Sequence, residues 1–317
     1  MGDASGDALA GGLAGGFGED PGGGLGDRAA FGTGSGSGSG FSGGADTWPA
    51  ELGGPRNTVR QELVSRQLDE QLAALPLAQR LRPGGDSRPR SAGAHARRQL
   101  RVLDIGPGQG AQALRLARAG HLVTGLESDP AVLAALRTAV TAEPADVRER
   151  FAVLPGDGRE TGRHFGPACF DVVLCHGVLR HVPDPEPMLA ALARVLAPGG
   201  LLSLVVRNGD ALALRPGLLG DWAGALDAFG SAGYTNRLGL ATRADRRERL
   251  TAILAGIGVP LRAWYGVRVF TDTASDRALA PRDPGELALL LEAEERAGRT
   301  DPYRGVAALL HLCGVRG

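Results

Sequence analysis

Three glycines at alternate positions, Gly106, Gly108 and Gly110, follow an apolar run that contains Asp104. This spacing predicts a buried strand, then a tight glycine turn, then a helix. Glycine lacks a Cβ atom, so the backbone can adopt unusual dihedral angles there and a ligand can approach closely. The helix that follows points its free N–H groups at the same place. The sequence therefore predicts a small molecule bound at this turn.

Polar side chains also follow the next predicted strands. Glu127 ends the second strand, Asp157 follows the third, and His176 follows the fourth. In an open α/β sheet, ligands bind at the carboxyl ends of the strands, where the strand order reverses. An acid that ends the second strand can accept hydrogen bonds from both ribose hydroxyls of an adenosine. Together with a loose G-x-G-x-x-A motif, the pattern fits a nicotinamide dinucleotide or S-adenosylmethionine.

Three details favour S-adenosylmethionine as the cofactor. Asp104 stands just before the glycines, where an anion repels a pyrophosphate but attracts a sulfonium and an ammonium. Pro107 removes a backbone donor that a phosphate would use. Asp157 and Gly158, after the third strand, suit the edge of an adenine. The donor is thus expected to lie across the first two strand ends, with Asp104 and Glu127 contacting its opposite ends.

Alternating strands and helices must position these residues. Strands are predicted at residues 101–105, 121–127, 151–154, 170–175 and 201–206, and the helix before the last of them is expected to stop at residues 198–200. This alternation indicates parallel pairing in a doubly wound α/β sheet. An earlier helix is expected over residues 57–77, with Asn57 as its N-cap, and a loop over residues 83–95.

The composition limits the partners, the metal sites and the domain organisation that we expect. The 317 residues carry zero formal net charge, which excludes a global basic field that attracts nucleic acid. The spacing of the three cysteines fits no zinc site, and we expect no metal. An odd count of cysteines leaves one unpaired, so we expect a reduced, cytoplasmic setting. No apolar run is long enough to cross a membrane. Residues 1–54 are rich in glycine and acidic residues and are predicted to be a disordered tail, before one domain at residues 55–317.

A set of motifs resembles the class I S-adenosylmethionine-dependent methyltransferases. The motifs lie at residues 102–110, Glu127, Asp157, residues 170–173 and residues 196–200. The resemblance implies methyl transfer on a Rossmann-like, seven-stranded sheet with an antiparallel last strand. Residues 264–270 and 307–313 are then the candidate last two strands, with a helix over residues 286–296 between them.

A narrower resemblance is to the bacterial tRNA 5-carboxymethoxyuridine methyltransferase family, whose members methylate the carboxylate of a modified wobble uridine. It is carried by residues 57–61, 175–179, 207–208 and 265–272. The chain departs from that family in having Arg180 in place of an acid and Arg207 in place of an aromatic residue. With the glycine turn included, the residues expected at the cofactor are Arg60, Asp104, Gly106, Pro107, Gly108, Gly110, Glu127, Asp157, Gly158 and His176.

The chemistry limits what else the chain must supply. A sulfonium methyl is already activated, so the protein mainly aligns the nucleophile and excludes water. A carboxylate nucleophile needs no general base, and we assign no catalytic residue. It does need a cation; Arg268 is the candidate, through a bidentate fork, with Asn208 as a second substrate residue. The acceptor is expected to be a carboxylate on tRNA.

Three alternatives remain open at this point: a small-molecule methyltransferase, a non-catalytic protein that binds an adenosine ligand, and a nicotinamide-linked oxidoreductase. The oxidoreductase predicts nicotinamide turnover. The non-catalytic protein predicts cofactor binding without methyl transfer. Measuring methyl transfer into separated RNA, protein and small-molecule pools distinguishes a tRNA methyltransferase from a small-molecule methyltransferase.

Overall fold

Strands and helices alternate through most of the computed structural model, which describes residues 54–75, 99–235, 241–275 and 278–317. The strands are β1 (Arg101–Ile105), β2 (Leu122–Glu127), β3 (Phe151–Pro155), β4 (Phe170–His176), β5 (Leu196–Arg207), β6 (Gly233–Thr235), β7 (Ala241–Arg243), β8 (Leu261–Val267) and β9 (Leu309–Val315). The α-helices are α1 (Pro55–Ala73), α2 (Ala111–Arg118), α3 (Pro130–Thr141), α4 (Ala145–Arg148), α5 (Thr161–His164), α6 (Glu186–Val195), α7 (Leu214–Leu218), α8 (Trp222–Phe229), α9 (Arg247–Gly256) and α10 (Pro284–Arg299).

Seven strands form one sheet in the order β3-β2-β1-β4-β5-β9-β8, and β6 pairs with β7 in a separate hairpin. The pairs from β3 to β5 are parallel, whereas β9 runs antiparallel to both of its neighbours, β5 and β8. The predicted doubly wound sheet with an antiparallel last strand is confirmed. The strand order reverses between β1 and β4, and a ligand site is expected at the carboxyl ends of these two strands.

Both faces of the sheet are buried, as the apolar runs of its parallel strands require. On β1, Leu103 and Ile105 enter the core under α6, while Val102 enters the core on the opposite face, with residues of α2 and α3. Successive side chains on a strand point to opposite faces, so Asp104 shares the face of Val102. On that face, Val64 of α1 packs against strands β5 and β8.

Two predicted helix boundaries were wrong. α1 begins at Pro55 after Gly54, so Asn57 lies inside the helix and is not its N-cap; proline is favoured at the first helical position because its missing N–H has no partner there in any case. α6 ends at Val195, and residues 198–200 lie within β5. The backbone becomes extended at Leu196, directly after the helix. The pairing register between β4 and β5 shifts near this point. Residues 198–200 therefore form an irregular stretch of strand and do not end the helix.

Two predictions fall outside the described residues. These are the loop at residues 83–95 and the tail at residues 1–54, of which Gly54 alone is described. In the described part of the chain, the helices are too short or too polar for any of them to cross a bilayer.

Candidate cofactor and acceptor site

The turn between β1 and α2 has the backbone conformation that its glycines predict. Gly106, Gly108 and Gly110 have φ angles of 60°, 60° and 81°, in a region that side chains with a Cβ atom rarely adopt. A Cβ atom on Gly106 would lie 2.7 Å from Val178, whereas one on Gly108 would meet no atom of the described residues within 4 Å. The space over Gly108 is therefore open to a ligand.

Asp104 is a buried carboxylate beside this turn, and 4% of the residue is exposed. No described residue donates a hydrogen bond to it. Burial, and then the nearby Glu127, raise the pKa of Asp104 to about 8, while Arg60 opposes the rise. Because a buried polar group without a partner is costly, this position favours a ligand that brings a positive charge or hydrogen-bond donors.

Glu127 presents its carboxylate at the carboxyl end of β2, and 7% of the residue is exposed. Its Oε1 accepts hydrogen bonds from the backbone N–H groups of Ser128 at 2.9 Å and Asp129 at 3.0 Å. No residue in the described ranges donates to Oε2. The backbone thus fixes one oxygen and leaves the other for a ligand, which is the arrangement that a ribose contact needs.

Replacing Glu127 with glutamine is expected to weaken S-adenosylmethionine binding by roughly 1–3 kcal/mol, the size of hydrogen bonds to a charged group. The amide can still accept from the turn, so the fold should be retained. Calorimetric titration checks the affinity, with Glu149→Gln on the surface as the control. Unchanged affinity of the Glu127 variant would remove this residue from the site.

The other predicted cofactor residues lie around the same strand ends. Pro107 packs against Gly125 of β2, and a Cβ atom on Gly158 would overlap a side chain of β1. Asp157 caps the short helix after β3 and pairs with Arg159, whose Nε and Nη2 lie 2.9 and 2.6 Å from its carboxylate. Hydrogen bonds from Arg159 lower the pKa of Asp157. A contact from Asp157 to an adenine stays a prediction.

Three arginines form a cationic cluster beside the turn: Arg60 of α1, Arg180 after β4 and Arg268 after β8. Burial, and then the charges of Arg180 and Arg268, lower the pKa of Arg60 to about 10, and Asp104 opposes this effect. The guanidinium of Arg60 also lies 3.6 Å from where a Cβ atom of Gly177 would stand. Like charges brought this close favour an anionic ligand among them.

Arg268 lies in a strained loop after β8. Its φ of 63° is in the left-handed region, which is costly for a residue other than glycine. Its guanidinium pairs with Asp272, which also pairs with Arg207 at 3.3 Å. Nε of Arg268 is buried without a partner among the described residues. The carboxylate of Glu294 in α10 accepts three backbone N–H bonds from residues 269–271 and so fixes the loop.

The amide of Asn208, the second predicted substrate residue, is engaged within the fold. Asn208 is 1% exposed. Its Nδ2 donates to the carbonyl oxygens of Gly305 at 2.9 Å and Ala307 at 2.8 Å, and its Oδ1 accepts from the N–H of Asp210 at 3.0 Å. These bonds join the end of β5 to the segment before β9, so we leave Asn208 out of the proposed acceptor site.

His176 has polar neighbours that the sequence analysis missed. Its Nε2 lies 2.8 Å from Oγ of Ser203, which lies 2.8 Å from Nε2 of His311. Nδ1 of His311 lies 2.7 Å from Oε1 of Gln67 in α1. Polar residues inside the apolar strands β5 and β9 were the available signal. In the described ranges, no cluster of three or more His, Cys, Asp or Glu side chains forms a metal site.

Comparisons with known proteins agree with this geometry. Residues 103–204 match a family model described as a methyltransferase domain. The chain is similar to tRNA 5-carboxymethoxyuridine methyltransferase of Escherichia coli O157:H7, with 29% identity over 217 residues that cover 68% of this chain and 79% of the relative. It is also similar to ubiquinone biosynthesis O-methyltransferase of Paracidovorax citrulli (strain AAC00-1), with 37% identity over 117 residues, 36% of this chain and 47% of that relative.

The fold is shared with a solved structure, magnesium protoporphyrin IX methyltransferase from Synechocystis PCC 6803 with bound SAH. The TM-score is 0.53 at 17% identity, and the alignment covers 87% of this chain and 95% of the other. The family match extends from β1 to β5 and includes the glycine turn, Glu127, Asp157 and His176. None of these matches supports the nicotinamide alternative. The chain therefore carries a methyltransferase domain of the class I, S-adenosylmethionine-dependent kind.

Proposed function

We propose that this protein transfers the methyl group of S-adenosylmethionine to a carboxylate, with the carboxymethoxy group of a modified tRNA wobble uridine as the best candidate acceptor. The observation that carries the proposal is the division of charge in the site. The buried acids Asp104 and Glu127 lie at the ends of β1 and β2, and the cationic cluster (Arg60, Arg180 and Arg268) lies beside them. One side suits a cationic donor, and the other suits an anionic acceptor.

Two independent features of the acidic side of the site suit the methyl donor. Asp104 is a buried carboxylate without a hydrogen-bond partner in the described residues, and the open space over Gly108 admits a ligand close to the backbone. Asp104 would face the positively charged methionine part, Glu127 the ribose, and Arg60 the carboxylate of the methionine part. When bound, the cofactor supplies a methyl group on a sulfonium, whose sulfur leaves as a neutral thioether.

The acceptor side needs no proton transfer for this reaction. A carboxylate oxygen forms the new C–O bond as the C–S bond breaks, and the positive charge of the sulfonium is neutralised. Arg268 would orient the carboxylate, because its loop is fixed by Glu294 and its Nε is buried without a described partner. The protein contributes alignment and the exclusion of water.

Support for an RNA acceptor comes from the segment beside the Arg268 loop and from the relative. Residues of α7 line one cavity together with Phe270 and Asp272, and the neighbouring helix α8 exposes 70% of Trp222 and 73% of Phe229. Exposed aromatic rings are surfaces on which unpaired bases stack. The similar protein of Escherichia coli O157:H7 is named as a tRNA 5-carboxymethoxyuridine methyltransferase.

The proposal is tested by radiolabelled methyl transfer. The full chain is incubated with labelled donor and either tRNA carrying 5-carboxymethoxyuridine or the same tRNA with unmodified uridine. Label in the modified tRNA, released as methanol by mild alkali because it is an ester, is the expected result. Label in neither tRNA, under conditions where the donor binds, would contradict the proposal.

Arg268→Gln is expected to lower kcat/KM for the carboxylate acceptor by roughly 10- to 100-fold, because a charged hydrogen bond is lost. Donor affinity should be retained, since the variant keeps Asp104, Glu127 and Arg60. The control is Arg262→Gln, an exposed arginine of β8 that donates to Ala74. Equal turnover by the Arg268 variant would show that the acceptor is not bound through this residue.

Methylation of a small hydroxyl acceptor is the second candidate. The similarity to the ubiquinone biosynthesis O-methyltransferase favours it. The two candidates differ in product stability. A carboxylate gives an ester that mild alkali cleaves, and a hydroxyl gives a stable ether.

A further inference from the structure

We propose that Gln67, His311 and Ser203 are positioning residues that hold His176 in its Nε2–H tautomer, so that Nδ1 of His176 is a hydrogen-bond acceptor for a bound ligand. We call the four side chains the His176 relay. The inference rests on the proposed function only in the identity of the ligand, which is the methyl donor or the acceptor. The tautomer itself is a property of the protein without ligands.

The His176 relay lies on a single face of the sheet. His176 pairs with Val205 of β5, and Val205 pairs with His311 of β9, so the two rings share a face. Ser203 is two residues from Val205 and therefore points the same way. Gln67 enters from α1, which covers this face. Each of the three contacts, from His176 to Ser203 to His311 to Gln67, is between 2.7 and 2.8 Å long.

The direction of each bond follows from Gln67. Its Oε1 can only accept, so His311 donates from Nδ1. A neutral imidazole then has a lone pair on its other nitrogen, and His311 accepts from the hydroxyl of Ser203 at Nε2. The oxygen of Ser203 in turn accepts from Nε2–H of His176. This leaves Nδ1 of His176 with a lone pair, and none of the residues that the structure describes is bonded to it.

Burial keeps both rings neutral, which this scheme requires. Burial lowers the pKa of His311 to about 3. Burial, then His311 and Arg60, lower the pKa of His176 well below its ordinary value. A protonated ring would donate from both nitrogens and would break the sequence of bonds.

Two neighbours favour this direction over its reverse. Reversal needs the amide of Gln67 turned over, and it would place N–H on Nδ1 of His176. The charge of Arg60 acts on the His176 ring and opposes added positive charge there, whereas a lone pair on Nδ1 is attracted to the guanidinium. Cys313 lies 3.4 Å from Nε2 of His311, and its thiol is protonated because burial raises its pKa to about 12, so it too can donate weakly to a lone pair on Nε2.

A fixed lone pair on Nδ1 has a specific use. It accepts from an N–H or O–H group and does not accept a proton readily at neutral pH. It therefore suits the ammonium of the methyl donor or an N–H group of the acceptor. The relay thereby links ligand binding at the end of β4 to residues of α1, β5 and β9 that touch no ligand.

The test is the tautomer of each histidine, measured by long-range proton–nitrogen NMR on the full chain labelled with ¹⁵N-histidine and without ligand. The expected result is Nε2–H for His176 and Nδ1–H for His311. Nδ1–H on His176, or rapid exchange between the two forms in the wild type, would overturn the proposal. This measurement needs no variant and no enzyme activity.

Ser203→Ala is then expected to release His176 into a mixture of tautomers. It should also raise the Kd of S-adenosylmethionine, or the KM of tRNA carrying 5-carboxymethoxyuridine, by roughly 2- to 10-fold, the size of one hydrogen bond. Ser203→Thr, which restores the hydroxyl, should restore the tautomer. Cys175→Ala is the matched control, since Cys175 is buried beside His176 and points to the other face. An unchanged tautomer in Ser203→Ala would remove Ser203 from the relay.

The outcomes separate the two proposals. If the wild type shows the expected tautomers but transfers no methyl group to a carboxylate or hydroxyl acceptor, the proposed function fails and the relay stands. If methyl transfer is found and His176 carries its hydrogen on Nδ1, the relay fails and the proposed function stands.

Discussion

Replacing Glu294 with alanine is expected to lower the free energy of unfolding by about 3–5 kcal/mol, the cost of removing one member of a buried charged network. Glu294 is 0% exposed. Its carboxylate accepts from the N–H groups of Val269, Phe270 and Thr271 at 2.7, 3.1 and 2.8 Å, and from the hydroxyl of Thr271 at 2.7 Å. Without it, three backbone donors lose their partner in a loop that is buried at Thr271. Equilibrium denaturation in urea measures the change.

Glu292 supplies the matched control on the same helix. It is exposed and pairs with Arg296 at 3.0 Å, one turn along α10. Such a surface pair contributes about 0.3–0.5 kcal/mol, so Glu292→Ala should leave the unfolding midpoint almost unchanged. Similar midpoints for the two variants would show that Glu294 does not fix the loop.

The Glu294 variant should also lose activity ahead of global unfolding. Arg268 keeps its left-handed conformation because the residues that follow it are bound by Glu294. When that constraint is removed, the backbone of Arg268 can relax to an unstrained conformation, and its guanidinium leaves the cationic cluster. We expect a raised KM for an acidic acceptor at temperatures where circular dichroism shows the fold intact, and an unchanged affinity for the methyl donor.

Asp104→Asn is expected to affect stability and binding in opposite directions. The substitution removes a buried charge without a described hydrogen-bond partner, so the free energy of unfolding at pH 8 should rise by about 1–3 kcal/mol. The same change removes the attraction for the sulfonium and ammonium groups, and donor affinity should fall by roughly 10- to 100-fold. Urea denaturation and calorimetric titration of the same protein measure the two effects.

Asp171 is the matched control for Asp104, because it is buried to a similar degree but its carboxylate is hydrogen-bonded. Its carboxylate accepts from the backbone N–H, Nε and Nη2 of Arg101 at 2.9, 3.1 and 3.0 Å. Asp171→Asn should therefore destabilise the fold while leaving donor affinity unchanged. If Asp104→Asn also destabilised the ligand-free protein, Asp104 would be a structural residue and not one that binds the donor.

The pH dependence of stability gives a second test of the burial of Asp104. Burial, followed by the charge of Glu127, raises the pKa of Asp104 from its ordinary value near 4 to about 8. The folded state therefore binds this proton more tightly than the unfolded state does. The contribution of Asp104 to the free energy of unfolding falls as pH rises between these two values and is constant above about 8. The wild type should lose stability relative to Asp104→Asn across that interval.

The parts of the structure that follow from local pattern were predictable. Each of the five parallel strands is an apolar run bounded by glycine, proline or an acid, and the turn at Gly106, Gly108 and Gly110 needs glycine for its φ angles. The antiparallel last strand was expected from the family resemblance. The predicted start of α1 was wrong, because proline is favoured at the first helical position and Pro55 opens the helix. The predicted end of α6 was wrong, because the strand that follows it begins at Leu196 and includes the proline and glycines at residues 198–200.

The acceptor side could not be read from spacing, because its contacts join distant parts of the chain. Gln67 and His311 are 244 positions apart, and Glu294 acts on a loop 23 to 25 positions before it. The sequence marked Arg268 as a cation but gave no sign of its left-handed backbone. Asn208 belonged to a motif of the family resemblance, yet its amide is engaged by three backbone groups. Pairing partners of this kind depend on the tertiary fold.

The place of β9 in the sheet has a consequence for synthesis. β9 is made after β8, yet it lies between β5 and β8, so β8 has no hydrogen-bonded place in the sheet until β9 has been added. A growing chain that ends before residue 309 exposes the free edge of β5, and such edges favour association between chains. His311 lies on β9. The pairing of β9 with β5 therefore covers the exposed strand edge and, in the same step, supplies the residue that fixes the tautomer of His176.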